Sequence, residues 1–173
     1  MSKAKNKELL PFYKRAKKTL EYDYKTGVFS RWIEGKKEYK EAGSINPKGY
    51  RMISVTIDGI KKTLKAHRIA WYYYYGELPN LIDHIDGDKL NNSIFNLRSC
   101  TNQQNQQNKG IFKNNKTGYK GVFMYREGFY TATIAYNNKR IYLGSFNCPK
   151  KASEVYEEKA KELFGEFYRH TNS

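Results

Sequence analysis

Apolar residues in this chain come in short runs broken by polar, glycine-rich punctuation, and each run predicts an element. Leu9 to Leu20 predicts a short helix, with Pro11 tolerable only in its first turn. Gly27 to Trp32 predicts a strand, and Gly49 to Ile57 a second one. This second strand turns at Asp58-Gly59 into a third, Lys61 to Ala66. Asp-Gly between two β-rich runs is a strong hairpin signal. His67 to Tyr75 then predicts a helix, ended by Gly76 and Pro79.

The next zone, Asn80 to Lys109, predicts a short strand from Leu81 to Ile85, a polar loop from Asp86 to Asn92, and a second strand around Leu97 to Cys100. A helix should begin at Thr101, where Thr101 and Gln104 fit a capping box. A linker-like stretch, Lys113 to Gly118, precedes three further strands: Gly121 to Tyr125, Phe129 to Ala135 and Arg140 to Phe146. Tight turns at Arg126-Glu127-Gly128 and Asn137-Asn138 join them. Pro149 to Phe164 then shows Ala152, Val155, Tyr156, Ala160 and Leu163 at helical spacing, with Gly165 just beyond. The predicted C-terminal part is a three-stranded antiparallel sheet backed by one helix.

Composition changes the picture chiefly through charge. The 173 residues carry a net +15, and both parts share it, with +9 over residues 1–108 and +6 over residues 109–173. A single basic tail does not account for that split. A polyanion partner does, because each phosphate neutralised by Lys or Arg releases condensed counterions. Two lone cysteines, Cys100 and Cys148, exclude a zinc ribbon and argue against a disulfide framework. No apolar run approaches the length of a membrane span, and the N-terminal segment lacks the apolar core of a signal peptide. The expectation is a protein that works in the cytoplasm of the cell that makes it.

Candidate chemistry concentrates between Leu81 and Lys109. There an acid-histidine pair, Asp83-His84, is followed by Asn91, Asn92, Asn96, Asn102, Asn105 and Asn108. Hydrophilic decoration of a loop explains Asn91 and Asn92 comfortably, but explains an acid-histidine pair on a strand less well. Phosphodiester hydrolysis needs a deprotonated water, a stabilised leaving oxygen and a neutralised phosphate. A histidine with an ordinary pKa of about 6.5 is a suitable base, and a hard cation with oxygen ligands serves the other two needs. Neighbouring residues on a regular strand face opposite ways, so Asp83 and His84 are not expected to point together.

The same segment resembles the active-site motif of HNH nucleases, in the H-N-N variety of phage and intron-encoded homing endonucleases. That family's ββα-metal motif has an Asp-His pair on the first strand, an Asn before the second and an Asn on the helix. Here these positions are held by Asp83, His84, Asn96 and Asn105. The resemblance implies that Asp83 and Asn105 ligate one Mg²⁺ or Mn²⁺, that His84 is the general base, and that Asn96 holds the His84 ring through its other nitrogen. AHRIAWYYYYGELPN, TGVFSRW and AGSINPKGYRMISVTIDG extend the likeness over most of residues 20–109. His67 is expected to be structural, and His170 solvated.

Residues 117–172 resemble the plant Apetala2/ethylene-response type DNA-binding domain. Tyr119, Gly121, Val122, Ile134, Arg140, Leu143-Gly144, Phe146 and Phe164 to Phe167 are the matching anchors. That fold lays its sheet in the major groove. The implied DNA-binding residues are Lys120, Tyr125, Arg126, Tyr130, Lys139 and Arg140. Phe123 and Tyr125 stand where the plant proteins carry arginine, so the plant target sequence does not transfer.

The expectation is therefore an α+β protein. A β-rich and helical part (residues 1–79) leads into the ββα-metal motif (80–109). A linker (110–118) then joins it to the C-terminal domain (119–172). Its expected activity is site-specific, homing-type nicking of double-stranded DNA by a monomer in a bacterial host, with no role for a membrane. The competing expectation is a DNA-binding protein without catalysis. An RNA-binding role has less support, because no aromatic base-stacking motif of the usual RNA modules is evident.

Overall fold

The computed structural model describes residues 3–111 and 114–169, so Lys113 and His170 lie outside the described residues. The chain divides into two compact units, residues 1–101 and 102–173.

In the first unit, helix α1 (Lys3–Thr19) precedes a sheet of β1 (Glu21–Tyr22), β2 (Phe29–Ile33) and β3 (Glu38–Glu41). A second sheet joins β4 (Ser44–Ile45), β5 (Arg51–Ile57) and β6 (Ile60–Lys65). Helix α2 (Ala66–Tyr75) leads into the two-stranded hairpin of β7 (Leu81–His84) and β8 (Leu97–Cys100). Helix α1 is longer than the sequence predicts and runs through Pro11, well beyond the first turn. Proline forfeits a helical hydrogen bond there. The offsetting term is burial of one stripe of the helix, Leu9, Phe12, Tyr13 and Ala16, in the core. The core continues through Phe29, Ile53, Val55, Leu64 and Ile69.

The β5–β6 hairpin pairs Ile57 with Ile60 across a two-residue turn. Asp58 and Gly59 take φ of 48° and 76°, the left-handed conformations that such a turn demands. Residues Ala66 to Tyr72 of α2 are all buried, so the first two turns of this helix are covered on every side and not only along one stripe. Strands β1, β3 and β4 were not predicted. They are short, and β3 (Glu-Tyr-Lys-Glu) is exposed throughout, so no alternation of apolar residues marks it.

The second unit holds α3 (Asn102–Gln107), the antiparallel sheet of β9 (Val122–Arg126), β10 (Phe129–Tyr136) and β11 (Lys139–Phe146), and α4 (Pro149–Phe164). Its core joins Val122, Ala132 and Ile134 of the sheet to Ala152, Tyr156, Ala160 and Phe164 of α4. The predicted strands, the Asn137-Asn138 turn and the helix all stand. Both turn asparagines have positive φ, at 49° and 61°, and Tyr136 pairs with Lys139. None of the described helices is long and apolar enough to cross a membrane.

Candidate active site

The β7–β8 hairpin sets Asp83 opposite Arg98 and His84 opposite Leu97. Neighbouring side chains on a strand point to opposite faces, and these two keep different company. Asp83 accepts two hydrogen bonds on Oδ2, from Nε and Nη2 of Arg98 at 3.1 and 3.0 Å. Both partners are largely withdrawn from solvent, at 8% and 12% side-chain exposure. Such a pair counters the cost of burying each charge alone.

His84 is buried, and its Nε2 lies 3.3 Å from Oδ1 of Asn92. The Asn92 amide nitrogen donates to the Leu90 carbonyl at 3.0 Å, which leaves Oδ1 as an acceptor. Nε2 must then carry the ring proton, and the lone pair falls on Nδ1. Burial pushes the His84 pKa below the ordinary value, against the raising effects of the Asn92 bond and of Asp86, Asp83 and Asp88. The imidazole is neutral at physiological pH, as a base must be. His67, also buried, meets His84 edge to face with ring centroids 5.0 Å apart. Tyr50 lies 5.4 Å from the first ring and 6.3 Å from the second. His67 is held well below the ordinary histidine value by burial first, then by His84, Lys65 and Arg68.

The loop between the strands is a network of short polar side chains. Asp86 accepts from Nδ2 of Asn96, Nδ2 of Asn91 and the Asp88 amide at 2.9, 2.7 and 2.8 Å. Burial raises its carboxyl, and these bonds more than offset that and hold it below the ordinary range. Asn96 returns the favour: its Oδ1 accepts from the Asp86 amide at 3.1 Å, its Nδ2 donates to the Asn91 carbonyl at 2.9 Å, and its own carbonyl accepts from the Ile85 amide at 2.9 Å. Asn96 thus staples the loop and acts on the backbone just after His84. The ring contact that the sequence reading gave to Asn96 is made by Asn92.

Asn92 is no surface decoration, since it is only 1% exposed. Its carbonyl accepts from the Tyr22 hydroxyl at 2.8 Å, and the next two residues bond the Tyr24 carbonyl. The Gly27 backbone abuts it so closely that a Cβ there would sit 2.3 Å from the Asn92 carbonyl carbon and 2.2 Å from the Ser93 nitrogen. Burial of Asn92 depends on residues some 70 positions away, and no local pattern announces it. Arg98 was also missed, although an antiparallel register for the two predicted strands would have set it opposite Asp83.

Asn105 lies half-buried on α3, in the second unit. Among the described residues no group of three or more His, Cys, Asp and Glu could hold a metal ion. A cation here would therefore draw on mixed carboxylate and amide oxygens. Asp83 fits that role, because both Arg98 bonds fall on Oδ2 and Oδ1 takes neither. Of the six residues expected to bind DNA, Tyr125, Arg126, Lys139 and Arg140 are exposed, with Arg126 4.1 Å over the Phe129 ring. Tyr130 packs partly against the core. Lys120 turns inward and donates to the Gln107 carbonyl at 2.7 Å, and burial, with Arg169 nearby, lowers its pKa to about 8.

A family model described as HNH endonuclease matches residues 64–107. The chain is 38% identical over 107 residues to the uncharacterized HNH endonuclease L560 of Acanthamoeba polyphaga mimivirus, across 60% of this chain and 55% of that one. It is 30% identical over 111 residues to Protein 3.8 of Escherichia phage T7, across 62% of this chain and 91% of that one. The chain thus spans little more than half the length of L560 but most of Protein 3.8. Among solved structures, the HNH homing endonuclease I-HmuI is 29% identical, covering 52% of this chain and 51% of that chain, with a TM-score of 0.43.

Proposed function

Because residues 64–107 match the HNH endonuclease family model, we propose that the chain hydrolyses DNA phosphodiester bonds at chosen sites, as a metal-dependent, homing-type nicking enzyme. The observation that carries this proposal is the buried His84, whose Nε2 lies 3.3 Å from Oδ1 of the buried Asn92. Nδ1 of His84 takes a proton from water, the resulting hydroxide attacks phosphorus, and the P–O bond on the far side breaks. General-base assistance of this kind contributes about 10²–10⁴-fold. Asn92 keeps the accepting nitrogen aimed, and Asn96 keeps the loop around it closed.

Asp83 would hold one Mg²⁺ or Mn²⁺. When bound, the ion neutralises the phosphate and stabilises the departing oxygen. Arg98 holds Asp83 in place through two hydrogen bonds. One such site per monomer gives a nick in one strand of a duplex, since paired cuts require a second site related by symmetry. The outward Tyr125, Arg126, Lys139 and Arg140 make the C-terminal sheet an Apetala2-like DNA-binding surface, while Lys120 and Tyr130 serve packing. The setting we propose is the cytoplasm of a bacterial host.

The test is supercoiled plasmid incubated with and without Mg²⁺. Wild-type protein should convert it to nicked circles only with the metal, and His84→Ala should lose at least about 10²-fold in rate. Cutting by His84→Ala at the wild-type rate would refute the assignment.

A further inference from the structure

Two lysines lie over the Tyr50 ring, which itself stands 6.3 Å from His84. Lys65, at the end of β6, places Nζ 4.2 Å from the centroid of the Tyr50 ring, and Lys89 places its own Nζ 5.0 Å from it. Lys89 also donates to the Lys48 carbonyl at 2.9 Å, which ties the 86–92 loop to the turn before Tyr50. No ion pair among the described residues includes Lys48, Lys65 or Lys89. Asp83 is near enough to act on Tyr50, but Arg98 already binds it. A cation over an aromatic face is attracted by the ring's quadrupole. That positions an ammonium and leaves its charge unneutralised. Burial, then Arg68, Lys48 and Lys89, accordingly make the Lys65 ammonium easier to deprotonate.

Like charges gathered on one ring repel until an anion arrives, and this ring stands 6.3 Å from His84. We propose that Lys65 and Lys89, held over Tyr50, form a seat for backbone phosphate of the strand that His84 cuts, next to the scissile group. The inference rests on the nuclease reading of His84 and adds the means by which the strand is gripped. A lysine suits the task, since its compact ammonium can meet a phosphate oxygen from several directions. Because the seat binds flanking phosphate, it holds substrate and transition state alike.

The experiment uses the full chain carrying His84→Ala, so that bound duplex stays uncut. Affinity is measured against salt concentration, alone and with Lys65→Gln, Lys89→Gln or both. Each lost phosphate contact should reduce the slope of log affinity on log salt by about 0.9, so the double variant should lose between about one and two, and Lys65→Arg should keep most of it. With His84 intact, the same variants should raise KM more than they lower kcat. Thermal melts confirm folding, and Lys89→Gln alone, altering an exposed ammonium, serves if the double variant does not fold. An unchanged salt slope in folded variants overturns the seat, as does a fall in kcat without one in slope. His84→Ala cutting at the wild-type rate would instead overturn the nuclease reading, while the slopes still decide the seat.

Discussion

Asn92 offers a direct test of how His84 is held. Truncating it to Ala removes the bond to Leu90 and the contact to His84 Nε2. Leu90 is 40% exposed, so water can replace the first. His84 is 5% exposed, so its N–H is left in a site that water scarcely enters. A buried donor without a partner costs about 1–3 kcal/mol, which sets the expected loss of stability. Losing the group that orients an active imidazole should cost activity about 10–100-fold, by analogy with the outer partners of metal-site histidines. Both are measured on one preparation, by thermal unfolding and by nicking rate well below the melting point. Asn92→Asp separates orientation from packing. It keeps the side chain's size but sets a carboxylate about 3.3 Å from Nε2. An opposite charge that near favours imidazolium and raises a histidine pKa by about 1–3 units. The acid limb of the rate profile should therefore move to higher pH, a change that simple loosening of the fold does not produce. An unmoved acid limb in Asn92→Asp, or an Asn92→Ala variant with wild-type rate and stability, would refute the reasoning.

Two further outcomes are expected. His67 is buried with a pKa held well below the ordinary 6.5, so the unfolded chain binds a proton there that the folded chain refuses. Stability should be complete above about pH 6.5 and fall as the pH drops toward the folded value; His67→Gln should flatten melting curves compared between pH 7.5 and 5.5, and an unaltered pH dependence would show the neutral imidazole to be immaterial. In the second unit, Arg126→Ala and Arg140→Ala should each weaken DNA binding and lower its salt slope by about 0.9 with little change in melting temperature, whereas equal loss from Lys120→Gln without destabilisation would show that the inward lysine also reaches DNA.

What the sequence reveals and what it hides follow from how far the determining contacts reach. The Asp58-Gly59 and Asn137-Asn138 hairpins are legible because the turn geometry demands those residues locally. Asp83 and His84 stand out in the sequence as an acid-histidine pair on a predicted strand, and both lie buried on β7. Pro11 misleads, because a local rule against proline inside a helix meets a core stripe that outweighs it. Asn92 and Asn96 exchange their expected roles, since both sit in one asparagine-rich loop and only burial tells them apart. The inward turn of Lys120 is likewise invisible, because nothing local distinguishes a lysine aimed at a carbonyl from one aimed at solvent.

The contact at Gly27 bears on how such a motif could be moved between proteins. The recognisable segment spans residues 64–107, yet the residue that fixes the His84 tautomer is pinned by the Tyr22 hydroxyl and pressed by the Gly27 backbone, both outside it. A transplant of the segment alone would carry His84, Asn96 and Asp83 while leaving behind the Tyr22 and Gly27 contacts that hold Asn92. Even one methyl group at Gly27 would collide with the Asn92–Ser93 backbone, and its φ of 76° already disfavours any side chain. The smallest portable cassette therefore begins before Tyr22, and a graft that starts later should bring along a substitute buttress for Asn92.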